Sequence, residues 1–398
     1  LAPNANKYWN RNRRQCSKKQ KIYIPRAIKN GNSCKGCKLS ICFWSYMIEL
    51  PSFIDLHTHT RYPDKDNFPI LEIEKAALNG GYSEVLAMAN SGIKIDSIEN
   101  LKLARTFDKK LNIKVHRVGA LSKNLDGKEL VNFNDFVDEG VTIFSDDGKT
   151  LIDDDLSEIA FKEIAELNGA IFQHCEKNCH TRPGDIAPPH NTSELITIHE
   201  NEEFEIVKRD LDLVNKYKTR YHVQHVSSKK SVELIKDAKK NDLPVTAEVT
   251  PHHLLKNNLD ININDGSLKM YPPLRSEEDR QALINGLKNG IIDVIATDHA
   301  PHSKETKEVS FKKSARGVVG LESAFVVLFS SNLFSLEELT RFMSINPMNI
   351  LVSLGYDSSN DKTNSWTKSN STFTTKSFYK NSAFENFQVS IQKELDNV

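Results

Sequence analysis

The sequence predicts an α/β protein built as a closed (β/α)8 barrel of the TIM type. Three observations carry that expectation. Between Phe53 and His299 the chain alternates short β-branched runs with amphipathic stretches, in eight strand-then-helix units. Five of the eight runs end in His or Asp, and in such a barrel the chemistry sits where the strands end. The first run, Phe53-Ile-Asp-Leu-His-Thr-His, closes on His57 and His59 at spacing i, i+2, which puts both imidazoles on one face of a strand.

Taken in order, the strands are expected at 53–57, 84–90, 114–121, 141–147, 170–175, 221–226, 244–250 and 292–299. Amphipathic stretches at 70–79, 97–109, 156–167, 230–240 and 277–288 supply helices between them. Ser276, followed by Glu278 and Asp279, gives the last of these a cap and an acidic first turn. Ser145-Asp146-Asp147-Gly148 ends the fourth strand, His174-Cys175-Glu176 the fifth and His225-Val226-Ser227 the sixth. Asp298-His299-Ala300-Pro301-His302 ends the eighth. A lone histidine after a strand is an ordinary polar residue, but five rims in agreement point to a metal centre at the barrel mouth.

Residues 1–50 are of another kind. No acidic residue precedes Glu49, while Lys7, Arg11, Arg13, Arg14, Lys18, Lys19 and Lys21 crowd the start. The stretch reads as a basic, poorly ordered extension. Its alternatives are an organellar transit peptide, opposed by Pro25 and Gly31, and a zinc knuckle of Cys34, Cys37 and Cys42, which needs a fourth ligand such as Cys16. Over the whole chain Lys+Arg and Asp+Glu balance at 53 each, which speaks against a nucleic-acid partner. No apolar run approaches the roughly 20 residues that span a bilayer. Six cysteines without a disulfide framework fit reduced thiols and a cytoplasmic location.

Three stretches carry a resemblance to a known family. They are Phe-Ile-Asp-Leu-His-Thr-His-Thr-Arg at 53–61, Val-Thr-Ala-Glu-Val-Thr-Pro-His-His-Leu at 245–254, and Pro-Pro-Leu-Arg-Ser-Glu-Glu-Asp-Arg at 272–280 with Ile-Ala-Thr-Asp-His-Ala-Pro-His at 295–302. Over residues 53–351 the chain resembles the class I bacterial dihydroorotases of the cyclic amidohydrolase superfamily. The resemblance implies a barrel over 51–354, flanked by a small β-sandwich from both chain ends, with the Ser-, Thr- and Asn-rich tail 355–398 as its remnant. It implies one or two zinc ions per chain, His57, His59 and Asp298 holding one and His174 and His225 the second. Asp147 lies between them, preferred to Asp146 because its 27-residue distance to His174 matches the family spacing. Asp146 is read as a turn residue before Gly148, His222 as a core residue or one placed behind the ligands, and His299 as a structural histidine.

The implied reaction is the reversible cyclisation of N-carbamoyl-L-aspartate to (S)-dihydroorotate plus water, in pyrimidine biosynthesis. Asp298 is the implied catalytic proton carrier, and Arg61 the clamp for the substrate carboxylate. Asn90, Tyr271, His302, Arg316 and Gly317 complete the implied substrate shell. Here the chain departs from the family: Met-Pro-Asn is Met88-Ala89-Asn90, the glycine after Arg-x-Pro is Asp64, an asparagine is Tyr271, and a Phe-Gly pair is Arg316-Gly317. Tyr271 is expected to crowd the substrate and leave a working but less efficient enzyme. The rival readings are a hydantoinase or allantoinase, which use a lysine where Asp147 stands, and a non-catalytic partner of aspartate transcarbamoylase, which would have lost metal ligands. A homo-oligomer and a complex with aspartate transcarbamoylase are the expected partnerships.

Overall fold

The computed structural model describes residues 45–62, 70–181, 184–189, 194–376 and 381–394. The described chain opens with β1 (Ser45–Pro51) and enters the barrel at β2 (Phe53–Thr58), followed by α1 (Ile70–Asn79), β3 (Tyr82–Ala87), α2 (Ile98–Asp108) and β4 (Lys114–Arg117). Then come α3 (Phe133–Asp138), β5 (Ile143–Phe144), α4 (Asp154–Glu166), β6 (Ala170–Gln173), α5 (Glu200–Tyr217), β7 (Arg220–Val223) and α6 (Lys229–Lys240). The barrel continues through β8 (Val245–Val249), α7 (Pro251–Leu255), α8 (Glu277–Lys288) and β9 (Val294–Ile295). After it follow α9 (Lys304–Lys307), α10 (Ala324–Ser330), α11 (Leu336–Thr340), α12 (Asn346–Ser353), β10 (Thr363–Thr374) and β11 (Gln388–Lys393).

Strands β2 to β4 pair in parallel, as do β5 to β9, each with its sequence neighbour. Parallel bridges Gly119↔Phe144 and Thr58↔His299 join these two arcs into a ring. At the closing seam His59 N–H donates to His299 O at 2.9 Å, and the Asp55 carboxylate accepts from Thr297 N–H and Oγ1 at 2.8 and 2.6 Å. The strands are shorter than their apolar runs because the backbone turns at the residues that face the mouth. His225 (φ 30°), Asp298 (φ 48°) and Arg61 (φ 58°) adopt left-handed conformations that no strand accommodates.

The helices start where local chemistry caps them. Ser97, Ser228 and Ser276 accept from the first-turn N–H groups of α2, α6 and α8, and Asp279 returns the bond to complete a capping box on α8. Helix α4 begins at Asp154, earlier than its apolar pattern suggests, because the Asp153 carboxylate accepts from Leu156 N–H. Each such cap contributes about 1 kcal/mol.

Both ends of the described chain meet in a second sheet, β1-β10-β11, antiparallel throughout. Trp366 of β10 is buried and lies 4.5 Å from Phe325 and 6.0 Å from Phe53 between ring centroids, fastening this sheet to the barrel. The implied sandwich is thus represented, among the described residues, by one three-stranded layer. Of the stretch read as an extension, 45–50 belong to β1, with Ile48 and Leu50 buried, because they pair with β10 and cover the barrel. Residues 1–44, with Cys16, Cys34, Cys37 and Cys42, lie outside the described residues, as does Asp64. No helix among the described residues is long and apolar enough to cross a membrane.

Candidate active site

Four histidines and two aspartates from five strand ends converge at the barrel mouth. His57 Nε2 lies 3.3 Å from Asp147 Oδ1 and 3.5 Å from Asp298 Oδ1. His59 Nε2 lies 3.1 Å from Asp298 Oδ1 and 3.3 Å from Asp147 Oδ2. The ligand atoms of His57, His59 and Asp298, and those of His57, Asp147 and His225, each fall within 4.8 Å of one another. His174 joins through His225, with Nδ1 and Nε2 3.0 Å apart and facing Asp147 Oδ1 at 3.8 and 3.7 Å.

All six residues are buried. Burial opposes charge on His57, yet the carboxylates of Asp147, Glu248 and Asp298 outweigh it and hold its pKa well above the ordinary histidine value. Burial likewise opposes the anionic forms of Asp147 and Asp298, but His57, with other neighbouring histidines, holds both below the usual carboxylate range. His174 is pushed down to about 3 by burial and by His225, which keeps it in the neutral, ligating form. His57 Nε2, Asp147 Oδ1 and His174 Nε2 have no hydrogen-bond partner among the described residues, though buried polar atoms almost always find one. Imidazole nitrogens and carboxylate oxygens left open in this way fit a divalent cation, which would take the place of the proton that the carboxylates otherwise hold on His57 Nε2.

Asp146 is held apart from this cluster. Its carboxylate accepts from Leu121 N–H, Ser122 N–H and the Ser122 hydroxyl, bracing the turn that presents Asp147. Asn90 is engaged at both ends: Oδ1 faces His59 Nδ1 at 2.8 Å, and Nδ2 donates to Asp147 O and Oδ2 at 2.7 and 3.2 Å. Its carboxamide therefore holds two cluster residues in place, a task its sequence position does not reveal. His299 is buried with Nδ1 facing Gly320 N–H and Leu321 N–H, a structural role.

The remaining shell residues form one wall. His302 Nε2 donates to Arg316 O at 2.6 Å, and burial with Arg61 nearby pushes its pKa down to about 3. Gly317 has φ 118°, and a Cβ there would lie 2.7 Å from Ala300 Cβ, so only glycine fits. Its N–H donates to Lys269 O at 3.0 Å and its carbonyl accepts from buried Lys307 Nζ at 2.7 Å. These backbone groups are committed within the protein. The Tyr271 ring packs 5.0 Å from the His174 ring and 5.2 Å below the Arg316 guanidinium, which donates to Gly184 O at 2.6 Å. Tyr271 has thus found partners at the wall, and Arg316 is one of them.

Sequence reasoning missed Glu248. Its carboxylate, with none of its surface exposed, accepts from His57 Nδ1 at 2.6 Å. The signal was a glutamate inside the otherwise apolar strand Val-Thr-Ala-Glu-Val.

A family described as Dihydro-orotase-like matches residues 47–231. A dihydroorotase of Elusimicrobium minutum is 40% identical over 310 residues, 76% of this chain and 72% of that one. One from Staphylococcus epidermidis is 39% identical over 308 residues, 75% of this chain and 72% of its own. Among solved structures, the L-hydantoinase (dihydropyrimidinase) of Arthrobacter aurescens aligns with a TM-score of 0.72 at 22% identity, over 87% of this chain and 83% of that one. The dihydropyrimidinase of Brevibacillus agri gives 0.70 at 20% identity, over 87% and 82%. Likeness at those identities speaks for the barrel fold alone.

Proposed function

The chain belongs to the dihydroorotase family, and from that premise we propose that its barrel mouth hydrolyses and closes a ring amide around one or two zinc ions. It is a cyclic amide hydrolase whose reaction interconverts (S)-dihydroorotate plus water with N-carbamoyl-L-aspartate, the ring-forming step of pyrimidine biosynthesis. The observation that carries this reading is the convergence of His57, His59, Asp147, His174, His225 and Asp298 in a chain of that family. In it 51–354 form the catalytic barrel.

His57, His59 and Asp298 would hold one ion and His174 and His225 the other, with Asp147 between them, since a carboxylate has two oxygens to share. A divalent cation there would polarise the amide carbonyl as a Lewis acid and bring the pKa of a water down toward neutrality. Asp298, kept anionic by its histidine neighbours, takes the proton released as water adds to the carbonyl. It delivers that proton to the ring nitrogen as the C–N bond breaks. Ring closure runs the same transfers backwards. Arg61 pairs with the substrate carboxylate by two charge-assisted hydrogen bonds. His302 already donates its Nε2 proton to Arg316 O, so its Nδ1 is left to accept an N–H of the substrate. Asn90, Tyr271 and the Arg316-Gly317 segment shape the space around the ring.

Zinc is favoured among divalent metals because four imidazoles and two carboxylates suit it. The hydantoinase alternative rests on structural likeness, and the aspartate at 147 is set against it. Ring opening of dihydroorotate, hydantoin and allantoin, assayed side by side with elemental analysis of the protein, decides between these readings. Absence of a stoichiometric transition metal, or turnover of hydantoin alone, rejects this one. The reading also takes the cytoplasm as compartment and a homo-oligomer, with aspartate transcarbamoylase as partner, as the assembly. Sizing the enzyme with and without that transcarbamoylase tests the assembly.

A further inference from the structure

We infer that Glu248 is the positioning residue of the metal centre, orienting His57 from behind and pinning His225 from a strand that supplies no ligand. The inference rests on the metal reading above. Glu248 lies on β8, two residues after Thr246, so the two side chains share the inward face of that strand. Thr246 pairs in register with His222 of β7. This places four side chains in series: Thr246 Oγ1 to His222 Nδ1 at 2.7 Å, His222 Nε2 to Glu248 Oε2 at 3.1 Å, and Glu248 Oε1 to His57 Nδ1 at 2.6 Å. All four side chains are buried.

The bonds assign the tautomers. A carboxylate only accepts, so His57 must donate from Nδ1, and its Nε2 is left facing Asp147 and Asp298. Gln224 Nε2 also approaches His57 Nδ1, at 3.4 Å, but the shorter contact to an anion decides the proton's place. His222 likewise gives its Nε2 proton to Glu248, so its Nδ1 accepts from the Thr246 hydroxyl. The same Oε1 accepts from the backbone N–H of His225 at 3.1 Å. His225 is the residue whose φ of 30° ends the β7 segment, and this bond holds it there. One carboxylate therefore sets a ring on β2 and a backbone turn after β7 at once. Burial works against its charge, and His57 with His222 nevertheless draws its pKa down to about 2.

The test is metal affinity, measured by competition with a chelator on the full chain, together with the Tm of metal-free and zinc-loaded protein. Glu248→Gln is expected to weaken zinc binding on the order of 10- to 100-fold, as loss of a carboxylate behind a ligating histidine does. The gap in Tm between loaded and metal-free protein should shrink with it. A merely structural glutamate would lower both Tm values in parallel and leave the affinity unchanged, and that result overturns the inference. Should Glu248→Gln fail to fold, Thr246→Val removes only the far hydroxyl and should give a smaller loss in the same direction. Unchanged affinity there rejects the series. A wild-type protein that binds no divalent metal defeats the metal reading itself, a separate outcome from a wild type that binds and a Glu248→Gln that binds equally well.

Discussion

Asp298 stands between two histidines, 3.1 Å from His59 Nε2 and 3.5 Å from His57 Nε2, in a left-handed backbone that fixes where its carboxylate points. An amide in its place keeps the shape but cannot carry a proton. Asp298→Asn should therefore lose nearly all turnover, and a variant with more than about a tenth of the wild-type rate would remove the proton-carrier role. Arg61→Met is expected to reduce kcat/KM for dihydroorotate about 10- to 100-fold, the equivalent of about 1.5 to 3 kcal/mol for a charge-assisted contact. An unchanged kcat/KM would return Arg61 to the protein surface. For Tyr271 the structure changes the expectation. Its ring packs against both the His174 imidazole and the Arg316 guanidinium, so removing it empties a contact instead of relieving one. Tyr271→Asn should cost roughly 1 to 3 kcal/mol of stability and fail to raise kcat/KM. A faster variant of unchanged Tm would mean that the ring obstructs the substrate after all.

At the scale of elements, Glu203 in the first turn of α5 ties three pieces together. Its carboxylate accepts from the N–H groups and hydroxyls of both Ser227 and Ser228, the residues that lead from His225 into α6. Arg275 Nε donates to the same Ser227 hydroxyl at 2.7 Å. Burial raises the carboxyl pKa, but Arg275 and the serines outweigh it, and the folded value lies below the ordinary 4.5. The unfolded chain takes up this proton first as pH falls, near 4.5, and the folded chain only lower. The contribution is thus complete above that value and is lost as pH drops through the folded pKa. Tm measured between about pH 3 and 7 should fall less steeply on the acid side in Glu203→Gln than in wild type. At neutral pH the same variant should be less stable by about 1 to 3 kcal/mol. Equal acid slopes would show that Glu203 is not the group being titrated.

The whole molecule joins two sheets of unequal importance to the chemistry. The β1-β10-β11 layer contacts the barrel through Trp366, which packs on Phe53, the first residue of β2. His57 lies four residues further along that strand, roughly 13 Å away at the usual rise. Trp366→Ala should cost about 3 to 5 kcal/mol, seen as a lower Tm, while metal content and kcat/KM of the protein that remains folded stay at the wild-type level. Loss of bound metal in step with Tm would couple the small sheet to the site.

Read by itself, the sequence determined the alternation of strand and helix, the cap and acidic first turn of α8, and the identity and order of the residues at the mouth. These are local properties: a cap, a β-branched run and the side chain that ends it all lie within a few residues of one another. Tertiary structure alone decided which of those groups face each other. Glu248 meets His57 across 191 positions, Arg316 covers Tyr271, and Asn90 spends its carboxamide on His59 and Asp147. The pairing of β1 with β10 and the seam between Thr58 and His299 belong to the same class. Such contacts depend on strand register and on closure of the barrel, which join distant segments, so a residue such as Glu248 in an apolar strand signals that a partner exists without naming it.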